Sequence, residues 1–284
     1  MTDSVQARVI STLIAPQLER GGMIGRVHSV FAAAVNIEMG DGLLTVAKPS
    51  TGALPNGMVV DGDARFEVEP GALVWGGGAL RCQDLSVELA GAELWSPVLE
   101  PRGAFRPSCE VGAALTQAAR RRAPRGGFGE VLWQLADGRC EVVVADGVPG
   151  IAEVMRGLRG NWLEQAAQGA KKLVGLGQGL TPSGDDLLIG LTAALRAADH
   201  PLSGNFSATC WELARGRTTA VAEMFYRYAA VGAFSARIHR LLAGLTHTEA
   251  DLVRAFEDAL EWGASSGADC VVGVLLGARC GRGV

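Results

Sequence analysis

The residues best able to do chemistry run Gly175-Leu-Gly-Gln-Gly-Leu-Thr-Pro-Ser-Gly-Asp-Asp186. Glycines at 175, 177 and 179 alternate ahead of Thr181, a good helix N-cap, and Pro182, a good first helical residue. An apolar helix over Leu187 to Ala198 is expected to follow. A glycine loop that opens a helix is a ready anion site, because its backbone N–H groups can face the ligand and the helix dipole favours negative charge. The Thr181 and Ser183 hydroxyls add donors. Asp185 and Asp186 suit the positive end of the helix but would repel a bare phosphate. That conflict disappears if Mg²⁺ or an ammonium-like group lies between acids and anion, which makes Asp185 and Asp186 the candidate Mg²⁺ ligands. It also disappears if the acids turn away while the backbone faces the ligand. The string is neither a dinucleotide-binding fingerprint nor a Walker A loop, since no strand precedes it and no Gly-Lys-Ser/Thr is present. A well-capped helix with an entry loop explains Thr181, Pro182 and the acids, but not three alternating glycines.

Ser183-Gly184-Asp185-Asp186, with Gly190 four residues on, recurs 83 residues later as Ser266-Gly267-Ala268-Asp269 with Gly273. Glycine one turn past the acids permits close helix packing. Two helices opening with Ser-Gly-x-Asp could aim their starts at one pocket, a two-sided anion clamp with Asp186 and Asp269 as paired carboxylates. The alternatives are chance or an old duplication used only for packing. Ahead of another helix stands Arg215-Gly216-Arg217-Thr218-Thr219. Thr218 or Thr219 can cap that helix. Arg215 and Arg217 either bind a carboxylate or phosphate bidentately or are solvated. His239 falls on a helix, where a lone histidine is more often a surface or satisfied residue than a catalyst. No Ser-His-Asp signature, Gly-x-Ser-x-Gly elbow or HExxH motif is present.

These residues must be positioned by a chain of 284 residues that is 48% hydrophobic and 20% charged, with net charge -4. That size can bury a core without disulfide or metal staples, and the balance excludes disorder as the main state. An acidic pI near 5.7 gives no basic field for phosphates of nucleic acid. The six cysteines form no CxxC pair and read as buried small hydrophobes. No secretory pattern and no apolar run long enough to span a bilayer is found. The expectation is a cytoplasmic protein.

The pattern changes near residue 105. Before it, short strands are broken by turn signals, including Arg26–Phe31, Val35–Glu38, Leu43–Ala47, Met58–Asp61, Arg65–Val68, Leu73–Trp75, Ser86–Leu89 and Glu93–Trp95. Asp41-Gly42 reads as a hairpin turn. After it, helices are predicted from Cys109 to Arg122 and, in succession, from Ile151 to Arg279. Val131–Leu135 and Cys140–Val144 are predicted to pair as a hairpin through Asp137-Gly138, and Thr248 to start the helix at Glu249. The reading is an α+β protein: a β-rich barrel or sandwich-like domain over 1–105 and a mainly α-helical domain over 106–284 carrying the site.

The Gly-Leu-Thr-Pro-Ser-Gly-Asp-Asp string, the later Ser265-Ser-Gly-Ala-Asp269, Val35-Asn36, Pro55-Asn56-Gly57 and Thr218-Thr219 together resemble the AllH-like family. That family contributes the H subunit of a three-component oxamate carbamoyltransferase. The chain departs from the expected pattern at Ala222 and Ala264, where a serine and a histidine are expected. The resemblance implies a carbamoyltransferase subunit in purine-derived nitrogen catabolism, interconverting oxalurate plus phosphate with oxamate plus carbamoyl phosphate. It implies an acyl-CoA-synthetase-like partner and a further large subunit. Under it, Gly177, Gly179, Thr181, Ser183, Gly184, Ser266, Gly267, Thr218 and Thr219 would bind substrate or phosphate. Asp185, Asp186 and Asp269 would be the catalytic acids, holding either a metal or the carbamoyl NH₂. A non-catalytic scaffold subunit that keeps the motif for packing is the alternative.

Overall fold

A computed structural model describes residues 3–19, 21–40, 42–102, 105, 108–122, 126–136, 149–246 and 251–280. The chain divides into two compact units, Met1–Pro97 and Val98–Val284. Residues 98–102 pair with the helical unit rather than with strands. The Leu99 N–H donates to Gly232 O, and the Arg102 N–H to Ala197 O. The division therefore falls earlier than the change of sequence pattern near residue 105.

The first unit is an eight-stranded barrel with one extra strand. Its elements are β1 (Asp3–Ser11), α1 (Ala15–Leu18), β2 (Gly22–Val30), β3 (Ala34–Met39), β4 (Gly42–Ala47), β5 (Gly57–Val60), β6 (Leu73–Gly76), β7 (Ala79–Cys82), β8 (Leu85–Glu88) and β9 (Glu93–Trp95). The strands run in the order β5-β4-β3-β2-β6-β7-β8-β1, and β1 closes the ring by pairing antiparallel with β5. The extra strand β9 runs parallel to the second half of β1. Closure removes the exposed edges that an open sheet would present.

Leu44, Val46, Met58, Val60, Leu80 and Val87 fill the barrel. Among them lies a short polar relay. Asn36 accepts from Thr45 Oγ1 at 2.8 Å, and Asn56 Nδ2 donates to Thr45 Oγ1 and to Leu43 O, both at 3.0 Å. Buried amides must be paired in this way, which gives Asn36 and Asn56 a structural task. β3 and β4 pair from Ala34↔Ala47 to Met39↔Gly42, and Gly40 between them has φ +56°. Asp41 of the predicted turn lies outside the described residues. Arg65–Val68 is no strand. That segment is irregular, and Ala64 and Val68 tuck their side chains into the barrel core.

The second unit is helical: α2 (Ser108–Arg122), α3 (Gly129–Ala136), α4 (Pro149–Arg159), α5 (Leu163–Leu173), α6 (Ser183–Ala197), α7 (Ser203–Ala214), α8 (Ala220–Ala230), α9 (Ala236–Leu245), α10 (Leu252–Leu260) and α11 (Ser266–Ala278). The predicted hairpin over Val131–Leu135 is overturned, because that run is inside α3. There Val131, Leu132 and Leu135 are buried at i, i+1, i+4 spacing, a helical stripe that a short window reads equally well as a strand. Cys140–Val144 and Thr248 lie outside the described residues. Asp251 caps α10, its side chain accepting from the Arg254 N–H.

At the centre lie α6 and α11. Every residue from Gly184 to Leu195 is buried, as is every residue from Gly267 to Gly277. The two helices run parallel, starts together, and approach through glycine. A Cβ on Gly190 would lie 2.1 Å from Cys270 O, and one on Gly273 would lie 1.9 Å from Leu187 O. The contacts are reciprocal at the same 83-residue offset, since 190 + 83 = 273 and 187 + 83 = 270. The sequence repeat is thus a structural one.

Candidate functional site at two paired helix starts

The loop before α6 owes its shape to glycine. Gly175, Gly177 and Gly179 have φ of +72°, +119° and +99°, a region that side-chain-bearing residues avoid. Residues Leu176 to Leu180 are exposed. Among the described residues, the backbone N–H groups of Gly177, Gln178, Gly179 and Leu180 donate to no protein acceptor. A run of such donors in a glycine loop is a cradle for an anion.

Pro182, not Thr181, occupies the N-cap of α6, and no side chain caps this helix. Thr181 is freed to reach sideways, where its Oγ1 lies 2.9 Å from Ser266 Oγ at the start of α11. Asp186 lies against the hydroxyls of Ser266 and Thr181, and Asp269 against those of Ser183 and Ser265. Each helix's acid is therefore held by hydroxyls that include the serine opening the other helix. Asp269 also accepts from the Phe128 N–H at 2.5 Å. Gly127 lies against the same carboxylate, where any Cβ would come within 2.3 Å of Oδ1. Nothing in the sequence marks Gly127 and Phe128 for this contact.

The three acids are 1%, 4% and 0% exposed for Asp185, Asp186 and Asp269. Burial pushes all three carboxyls above their ordinary range. Asp186 is raised most. Its hydroxyl partners oppose the shift, and the charges of Asp269 and Asp185 add to it. One oxygen of Asp186 and one of Asp269 are buried without a hydrogen-bond partner.

Asp185 differs from the other two. Its Oδ1 accepts from the Gly175 N–H at 2.9 Å and from the Tyr226 hydroxyl at 2.8 Å, and its Oδ2 accepts from Thr218 Oγ1 at 2.5 Å. Both oxygens are taken by protein donors. Among the described residues, no three or more His, Cys, Asp or Glu come together as a metal-binding group. Of the two acids expected to share Mg²⁺, Asp186 is the one that keeps an oxygen without a protein partner.

Gly184 and Gly267 also serve packing. A Cβ on Gly184 would lie 2.0 Å from Leu173 O, and one on Gly267 would lie 1.9 Å from Ala259 O. Their N–H groups donate to Leu176 O and Trp262 O, both at 2.8 Å. Thr219 caps α8 by accepting from the Ala222 N–H, and its hydroxyl donates to Leu180 O. Arg215 pairs with Glu212 on the surface, and Arg217 donates to Lys171 O. His239 lies on α9. A surface groove of about 630 Å³ between α4 and α5, lined by Glu153, Arg156, Trp162 and Lys172 among others, holds none of the candidate residues. Cys82, Cys210, Cys270 and Cys280 are free and buried.

Residues 173–278 match the family described as oxamate carbamoyltransferase subunit AllH, and residues 4–94 match the AllH family N-terminal domain. The chain belongs to the AllH family. No solved structure matches it. The first match takes in the glycine loop, both paired helix starts and α8; the second takes in the barrel through Leu94. The AllH description is that of an enzyme subunit, so the chain belongs to a protein that works in an assembly. Among the described residues no helix is long and apolar enough to cross a membrane.

Proposed function

We propose that this AllH chain supplies the small-anion site of an oxamate carbamoyltransferase, at the joined starts of α6 and α11. The reaction would pass a carbamoyl group between oxalurate plus phosphate and oxamate plus carbamoyl phosphate, within purine-derived nitrogen catabolism. The observation that carries this reading is the Thr181–Ser266 bridge at 2.9 Å. It brings the positive ends of two parallel helices side by side, next to the free N–H groups of Gly177 to Leu180. Two dipole ends plus backbone donors favour an anion more than one helix start does.

The hydroxyls suit the other half of a carbamoyl group. Ser183 and Ser265 donate inward to Asp269, and the Thr181–Ser266 pair gives one proton to Asp186 and one to its own bridge. Their outward lone pairs are then acceptors for an NH₂ group. A site with N–H donors on one side and hydroxyl acceptors on the other is complementary to carbamoyl phosphate. It would stabilise charge gathering on oxygen as the carbamoyl carbon is attacked. In this reading Asp186 and Asp269 orient the hydroxyls, Gly177 and Gly179 shape the anion cradle, and Asp185 anchors it.

Calorimetric titration of the purified chain with phosphate and carbamoyl phosphate tests the reading. Both anions are expected to bind, and both Gly179→Ala and Asp269→Asn to weaken them. Gly179 has open space around it, so the alanine there acts only through backbone conformation. Heat from neither anion, with the chain folded, would sink the proposal. A scaffold role would then take its place. That second reading draws support from Met23 and Trp75, which pair across β2 and β6 and are 57% and 49% exposed.

A further inference from the structure

We infer that Thr218, Thr219 and Tyr226 are positioning residues, which clamp the glycine loop at both ends so that its N–H groups are fixed before any ligand arrives. The inference rests on the proposed anion site and adds what holds that site in shape. Near one end of the loop, the Gly175 N–H is tied to Asp185, which is itself held by Thr218 Oγ1 and Tyr226 OH. At the other end, the Leu180 carbonyl accepts from Thr219 Oγ1. The chain just ahead of α8 also closes on the loop from outside. A Cβ on Gly175 would lie 2.6 Å from Arg217 O, and an Arg217 side-chain nitrogen donates to Lys171 O at 3.2 Å.

Of three hydroxyls from one connector and the helix it starts, Thr219 thus meets the far end of the exposed stretch Leu176 to Leu180, and Thr218 and Tyr226 act on its near end through Asp185 and Gly175. Tyr226 is fully buried, and its hydroxyl donates to a carboxylate that serves the loop. A phenylalanine would fill the same volume, so the hydroxyl is there for Asp185. Thr219 combines capping of α8 with its bond to Leu180, so the start of that helix and the end of the loop are set by one side chain. A glycine-rich loop left to itself would sample many conformations. Preorganised donors cost no ordering when charge arrives.

Backbone ¹⁵N relaxation of the full chain tests the clamp directly. In the wild type, amides of Gly177 to Leu180 are expected to show order parameters near about 0.85 despite their exposure. Thr218→Val and Tyr226→Phe are expected to drop them below about 0.6, while amides inside α6 stay rigid. Thr218→Ser is expected to restore the wild-type values. Phosphate affinity should fall roughly tenfold in the two clamp variants, the affinity equivalent of losing one modest hydrogen bond. Mobile loop amides in the wild type, or order parameters unchanged in both variants, would overturn the inference. A uniform loosening of α6 along with the loop would do the same, because it would make Tyr226 a packing residue only. A loop that responds as expected in a chain that binds no phosphate would leave the clamp standing and remove the proposed function.

Discussion

Adjacent aspartates in one helical turn have been given different work by their hydrogen bonds. Asp185 has three donors on its two oxygens, whereas Asp186 has an oxygen with none and two acids close by. For Asp186 the folded-state value lies well above the ordinary one. The folded chain therefore holds that proton to higher pH than the unfolded chain does. Its contribution to stability is complete below about pH 4, the unfolded value, and is lost as pH rises toward the folded one. Asp186→Asn carries no such proton. Its stability relative to wild type should therefore climb from about pH 4 upward and level off above the folded value. Denaturant melts at several pH values read this directly, and a flat difference across that range would show Asp186 to titrate normally.

At the level of elements, the pairing of α6 with α11 depends on glycines that leave no room for a methyl group. Gly273→Ala would press a Cβ toward Leu187 O. Overpacking of this kind costs about 1–3 kcal/mol and sometimes more, and for a unit of this size each kcal/mol lowers Tm by about 2–4 °C. A thermal melt should show that drop, and Gly190→Ala should match it, because the two contacts are reciprocal. Most of these helices could be read from apolar periodicity, and the 83-residue echo pointed to two helices meeting at their starts. The failures have physical reasons. α3 reads as a strand in sequence because eight residues hold too few turns to separate the two periods. β1 carries no local signal, because its partners β5, β8 and β9 lie far along the chain. The tasks of Thr218, Thr219 and Tyr226 were hidden for the same reason. Their acceptors are 33, 39 and 41 residues distant, and a capping threonine looks alike whether its hydroxyl serves its own helix or another loop.

Across the whole molecule, the two units have separate hydrophobic cores, one from Ala7 to Val87 and one from Leu99 to Cys280. All residues of the candidate site come from the second. A fragment beginning at Val98 should therefore fold alone, melt cooperatively and bind phosphate with an affinity close to that of the full chain. Expression of residues 98–284 with calorimetry checks this. Loss of binding in a folded fragment would mean that the barrel contributes to the site. A fragment begun at residue 106 would lack Leu99 and Arg102, whose backbone N–H groups bond to Gly232 O and Ala197 O of the helical unit.

The glycine-to-carbonyl contacts that seat α6 on α5 and α11 on α10 also say where this protein can change. From the carbonyl that meets the first-turn glycine to that glycine is 11 residues in the first repeat, Leu173 to Gly184, and 8 in the second, Ala259 to Gly267. The two segments differ by three residues in loop length, while the same glycine-to-carbonyl contact recurs in both. Length in the connecting loop is thus a quantity that drift or an engineer can alter, whereas the helix faces act as a keyed fit. Chimaeras that carry a foreign loop on this unaltered joint are the natural way to give the site a new specificity.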